Sequence, residues 1–136
     1  MDRVFVYGTL LPGLPNHGWL RGARSLGPAT TEPSFELYDL GRYPAAVAGG
    51  DAVLRGEVFE VDAAGLARLD ILEDVPALYT RALVPVVVSG SHRHVTAWVY
   101  TLAAPLPRGA VPIPDGDYAA WIRGGHGVAR ADPDAE

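Results

Sequence analysis

A small α+β fold with a curled sheet is predicted by three features of this sequence. Short β-type segments outnumber helical ones, neighbouring strands follow one another in hairpin style, and one clear helix stands in the middle. Strands alternating with helices would instead predict a wound βαβ sheet. The 136 residues suffice for one domain with a single core, expected over residues 1–123. A small, polar tail from Gly124 to Glu136 is expected to fray. No internal repeat is visible.

In chain order, Val4 to Tyr7 is too short for a helix and reads as a buried strand that runs into Gly8-Thr9-Leu10. That ending admits two explanations, a tight turn or a binding cradle. A Gly/Pro bend follows, then a short helix or turn from Asn16 to Leu20. Scattered β-formers around Pro28 and Pro33 predict irregular strands from Ser25 to Asp39, and Gly41 to Val47 is a turn entering another extended piece. From Val53 to Val61 apolar and polar residues alternate, as in a half-buried strand. Asp62 is placed to cap the helix AAGLARLDILE, which must finish near Asp74 because Pro76 biases Val75 out of the helical region. YTRALVPVVVSG and HVTAWVYTL read as a hairpin turning around Gly90-Ser91. The Pro-rich stretch from Ala103 to Gly116 is expected to lack regular structure, and Asp117 to open a short helix, YAAWIR.

Composition narrows the function classes. A formal charge of −5 argues against nucleic acid or an anionic membrane as partner, since both are bound through clustered basic residues. All eleven basic residues are arginine, the mark of a GC-rich bacterial coding bias rather than of a mechanism. Without cysteine there are no disulfides, thiolate metal sites or Cys nucleophiles. No leader-type segment and no apolar run of ~18 residues is present, so a cytoplasmic protein is expected.

Glu73 is the most informative residue. At 100° per residue it lies about 20° from Leu66 and about 40° from Leu69 on the helical wheel, on a stripe that should face the core. Asp70 lies about 40° to the other side of Leu66. Loss of hydration and the negative end of the helix dipole both raise the pKa of such a carboxyl group, towards the range where it can take a proton and return it. The alternative is a glutamate that turns to solvent at a frayed last turn, or pairs with Arg68 or Arg81.

Other familiar chemistry is missing: there is no GxSxG and no Walker loop. His92 and His94 sit at a hairpin tip with no third ligand in sequence, which favours solvated side chains over a metal site. His17, beside Asn16, either lines a site or satisfies the helix start. Trp98, Tyr100, Tyr118 and Trp121 read as core, with one or two available to wall a pocket. What remains is a glycine-containing loop, one glutamate on a core-facing stripe and some aromatics. Such a set suits a reaction in which the substrate attacks itself. The N–H groups of Gly8, Thr9 and Leu10 can form an anion-binding concavity, and Glu73 can shuttle a proton.

The segments VFVYGTL, GLPNH, GEVFEVD and LDILEDVPALYTR, in this order and spacing, resemble the γ-glutamyl cyclotransferase-like family, with the closest likeness to γ-glutamylamine cyclotransferases. The likeness runs from Val4 to about Val88 and again through AWVY and GDYAAW. It implies a small mixed β-barrel with flanking helices. It also implies conversion of a γ-glutamyl amine or amide into 5-oxoproline and free amine, without metal or other cofactor. A small-molecule γ-glutamyl substrate is then the implied partner. On this chain Tyr7, Gly8, Thr9 and Leu10 would hold the γ-glutamyl group, Glu73 would accept the proton, and Tyr79 would contact substrate or orient Glu73. Leu11-Pro12 stands where the amine-specific proteins tend to carry a basic residue, and residues 103–116 have no clear counterpart. Two other functions fit the same features: a pathway-specific member that strips a γ-glutamyl protecting group from a natural-product intermediate, and a non-catalytic barrel that binds a metabolite. The resemblance leaves the leaving amine and the oligomeric state open.

Overall fold

The computed structural model describes residues 1–126. Five strands form a closed barrel in the order β1 (Asp2–Val6), β5 (Arg55–Val61), β2 (Arg24–Thr31), β6 (Tyr79–Val88), β7 (Arg93–Leu102). All pairings are antiparallel except the one that closes the ring, where Val4 of β1 meets Trp98 of β7 in parallel. The sheet therefore curls completely, as a mixed barrel. A second sheet of three strands has the order β4 (Pro44–Ala48), β3 (Phe35–Asp39), β8 (Val111–Pro112). Among the described residues, two helices, α1 (Ala63–Leu72) and α2 (Tyr118–Arg123), and one turn of 3-10 helix (His17–Leu20) accompany the sheets.

Alternation along β1 divides the core. Phe5 and Tyr7 point into one apolar cluster with Val58, Val86, Val95 and Val99, whereas Val4 and Val6 join Phe59, Val61 and the leucines of α1 in another. From Val4 to Val6 both faces of β1 are buried, which is why that part of the strand is a continuous apolar run. Gly56 on β5 makes the close β1–β5 approach possible: a Cβ there would lie 2.0 Å from the carbonyl oxygen of Val6.

Both helices begin as the sequence predicts. Asp62 Oδ1 accepts from Gly65 N at 2.7 Å and Asp117 Oδ1 from Ala120 N at 3.0 Å, each satisfying an amide that the first turn leaves free. The β6–β7 hairpin pairs from Tyr79↔Leu102 to Val88↔Arg93 and leaves Ser89 to His92 as its loop. The region read as irregular strands resolves into β2 and β3, and Val53 and Leu54 precede β5 rather than belong to it.

The Pro-rich stretch departs from expectation. Val111 and Pro112 pair with Asp39 and Tyr38 as β8, Ile113 N donates to Leu37 O at 2.8 Å, and Arg55 N donates to Gly116 O at 2.8 Å. Proline is tolerated in this two-residue strand at the sheet's edge. At the start of the expected tail, Gly124 N, Gly125 N and His126 N donate to carbonyls of α2, and the His126 ring stacks on Trp121 at 3.8 Å. The rest of the expected tail lies outside the described residues.

Candidate active site

The carboxyl-bearing end of α1 is set by a specific helix stop. Asp74 adopts φ +50°, Val75 N donates to Asp70 O at 3.0 Å, and Asp74 N donates to Ile71 O at 3.1 Å. These paired bonds across a left-handed residue form a Schellman-type cap, with aspartate where glycine is usual. Glu73 is thereby the C-cap, its own N–H bonded to Leu69 O at 2.9 Å. Its side chain has 0% exposure, on the same side of the helix as Leu66, Leu69 and Leu72. The stripe predicted from the wheel is therefore real, and Glu73 does not turn to solvent.

Asp70, one turn earlier, is tied to the barrel. Its Oδ1 accepts from Arg81 Nε at 2.8 Å and from Tyr100 Oη at 2.7 Å, and its Oδ2 accepts from Arg81 Nη2 at 3.1 Å. Arg81 and Tyr100 face each other across the β6–β7 ladder, so one carboxylate fastens α1 to both strands. The guanidinium also lies 4.1 Å from the centroid of the Trp98 ring. Burial, together with the hydrogen bond to Asp70 and the negative charges of Asp70 and Glu73, drives the Tyr100 phenol far above its ordinary pKa. Tyr100 is therefore a neutral donor to Asp70. Arg81, one of the two partners considered for Glu73, makes its bidentate pair with Asp70 instead.

The turn after β1 is buried throughout: Tyr7, Gly8, Thr9 and Leu10 all fall in the buried class. Its three successive carbonyl groups are each engaged from downstream. Gly8 O accepts from Leu11 N (3.0 Å), Thr9 O from Asn16 N (2.9 Å), and Leu10 O from His17 Nδ1 (2.8 Å). A trans peptide points its N–H opposite to the preceding C=O. Holding the Gly8 and Thr9 carbonyls one way thus presents the N–H groups of Thr9 and Leu10 the other way. Asn16 Nδ2 donates to Thr9 Oγ1 at 3.0 Å, so Asn16 reaches back to the turn and makes no side-chain cap on its own helix. His17, expected either to line a site or to satisfy the helix start, bonds through its ring to Leu10 O.

The two tyrosines expected near substrate have structural partners. Tyr7 Oη donates to Tyr100 O (2.7 Å) and accepts from Ala46 N (3.1 Å), while Tyr79 Oη donates to Pro44 O (2.8 Å). Both strap β4 to the barrel. Leu10, Leu72, Tyr79 and Tyr100 share one apolar cluster, against which Leu40 and Tyr43 of the β3–β4 turn also pack. The residue preceding Glu73, the last residue of the YGTL turn and Tyr79 thus meet in a single cluster. Tyr7 belongs to the other cluster. His92 and His94 are exposed on and beside the hairpin tip, and no group of three or more metal-ligating side chains occurs among the described residues.

Comparison with known proteins gives one consistent result. Residues 4–120 match the family model described as gamma-glutamyl cyclotransferase, AIG2-like. A Vibrio cholerae protein, named provisionally as a gamma-glutamylcyclotransferase, is 47% identical over 97 residues, which is 71% of this chain and 78% of that one. The gamma-glutamylcyclotransferase family protein YtfP of Escherichia coli K12 is 36% identical over 116 residues, covering 85% and 95%. Among solved structures, an AIG2-like protein of Mus musculus superposes with a TM-score of 0.81 at 30% identity, covering 98% of this chain and 96% of that one.

Proposed function

Because the chain belongs to the gamma-glutamyl cyclotransferase, AIG2-like family, we propose that it converts a γ-glutamyl amine or amide into 5-oxoproline and the free amine, with Glu73 as the acid–base group. The observation that carries this reading is the carboxyl group of Glu73, wholly buried at the end of α1 and next in sequence to Leu72, which belongs to the cluster that also receives Leu10 and Tyr79. Burial disfavours the charged form of a carboxyl group, which suits a side chain that must take a proton from an ammonium and return it within one turnover.

The steps follow from that placement. Glu73 removes a proton from the α-ammonium group of the γ-glutamyl moiety. The freed amine attacks the γ-carbonyl carbon of the same molecule, closing a five-membered ring. This attack is intramolecular, so the protein has only to hold the chain bent. The oxyanion of the tetrahedral intermediate is received by N–H groups of the YGTL turn, those of Thr9 and Leu10 being the ones that lie opposite the Gly8 and Thr9 carbonyls, which Leu11 N and Asn16 N hold. A donor of this kind is worth ~3–4 kcal/mol in the transition state. The protonated Glu73 then delivers its proton to the departing nitrogen, and the oxyanion re-forms the carbonyl as the C–N bond breaks. The second proton that attack leaves on the ring nitrogen passes by way of the same carboxylate to the released amine, which departs as an ammonium ion. Tyr7 and Tyr79 act chiefly by holding β4 over the site. Since Tyr7, Thr9, Leu10 and Glu73 have no exposed surface, substrate enters only when their cover moves. The β3–β4 turn, through Leu40 and Tyr43, is part of that cover.

The test is a 5-oxoproline assay on a panel of γ-glutamyl amines, γ-glutamyl amino acids and glutathione. Equimolar 5-oxoproline and amine are expected from γ-glutamyl amines or amides, with little from glutathione. No 5-oxoproline from any member of the panel would contradict the proposal.

A further inference from the structure

We infer that His17, with Asn16, is a positioning residue for the oxyanion cradle: the pair grips the carbonyl side of the YGTL turn and so aims its amides at substrate. The inference rests on the cyclotransferase reading above and adds to it a residue that touches no reacting atom.

Geometry carries the case. A carbonyl oxygen only accepts, so the 2.8 Å contact between His17 Nδ1 and Leu10 O requires a proton on Nδ1. The ring is held in that pose by Phe59 of β5, whose centroid lies 5.7 Å away at an interplanar angle of 58°. Asn16, 1% exposed, grips the preceding residue twice, through N to Thr9 O at 2.9 Å and through Nδ2 to Thr9 Oγ1 at 3.0 Å. The backbone N–H of Asn16 thereby holds the Thr9–Leu10 peptide and with it the direction of Leu10 N–H. The His17 ring holds the Leu10–Leu11 peptide, whose N–H donates to Gly8 O at 3.0 Å and so sets the direction of Thr9 N–H, in a loop that has no strand pairing of its own. An unpaired loop keeps backbone freedom that a transition-state cradle cannot tolerate, because small misplacements of positioning groups are costly in rate.

The test measures kcat and KM separately for release of 5-oxoproline from γ-glutamyl n-butylamide, with Tm recorded for each variant. His17→Leu removes the donor; His17→Asn keeps an amide N–H near the Nδ1 position; His17→Gln places its amide near Nε2 instead. Expected is a fall in kcat of at least about 10-fold for His17→Leu with KM within about 3-fold of wild type, and substantial recovery of kcat in His17→Asn but not in His17→Gln. Asn16→Ala should show the same kcat-weighted loss. Should His17→Leu fail to fold, the Asn–Gln comparison still decides. Unchanged kcat in His17→Leu, a loss confined to KM, or equal impairment of His17→Asn and His17→Gln would each overturn the inference. If wild type turns over and Glu73→Gln does not, such a result overturns this inference alone. A wild-type enzyme that forms no 5-oxoproline overturns the cyclotransferase reading and this inference with it.

Discussion

Four tyrosines are almost fully buried, and their hydroxyl groups fare differently. Those of Tyr7, Tyr79 and Tyr100 each donate to a protein oxygen, whereas Tyr118 Oη has no hydrogen-bond partner among the described residues. Burial, reinforced by the charge of Asp39, pushes the Tyr118 phenol well above its ordinary pKa, so it stays neutral at physiological pH. A buried hydroxyl without a partner costs stability, ~1–3 kcal/mol in typical cases. Tyr118→Phe should therefore leave the unfolding free energy unchanged or raise it by about 1 kcal/mol, read from urea denaturation. A loss of more than about 1 kcal/mol would show that the hydroxyl is satisfied in solution. At this scale the sequence was legible where a periodicity placed a side chain, as with Glu73 on the leucine stripe. It was not legible where the partner came from a distant strand. Nothing in the order of residues announced that Arg81 would choose Asp70, or that Tyr7 would bond Ala46 N 39 positions away.

Between elements, the end of β1 depends on its neighbour β5. At Gly56 a Cβ would meet Val6 O at 2.0 Å and Phe5 Cζ at 2.9 Å, and the nearer of these is backbone that cannot swing aside. Gly56→Ala must push β1 away immediately before the YGTL turn. It should cost about 1–3 kcal/mol by chemical denaturation, as overpacking does, and lower turnover in the folded fraction. Wild-type stability in that variant would mean that the strands have slack the structure does not display. Elements with local signals were readable: Asp62 and Asp117 announce both helices, Pro76 announces the end of α1, and Gly90-Ser91 announces the hairpin. The strand β8 was not, because a Val-Pro pair inside a Pro-rich stretch becomes a strand only when β3 offers it partners. The stop at Asp74 was foreseen from Pro76, but its Schellman-type geometry, with aspartate in the left-handed position, has no signature in composition.

Over the whole molecule, barrel closure is what brings the site together. The parallel contact of β1 with β7 sets the YGTL end of β1 near Tyr100, whose carbonyl receives the Tyr7 hydroxyl; Asp70 hangs α1 on the same strand through the Tyr100 hydroxyl. The second sheet contributes β4, held at Pro44 by Tyr79 and at Ala46 by Tyr7, across the region where α1 ends. A curled sheet follows from the predominance of strands, but its closure is a pairing between the first and last barrel strands, which periodicity cannot express; the family resemblance supplied it. The proposed chemistry turns on one acid, so the most direct measurement is turnover of a γ-glutamyl amine by wild type and Glu73→Gln, with substrate binding followed by calorimetry. The glutamine variant should keep its fold and bind substrate while its kcat falls by about 1,000-fold, the contribution expected of a well-placed acid–base group. Near-wild-type release of 5-oxoproline from Glu73→Gln would contradict the assignment.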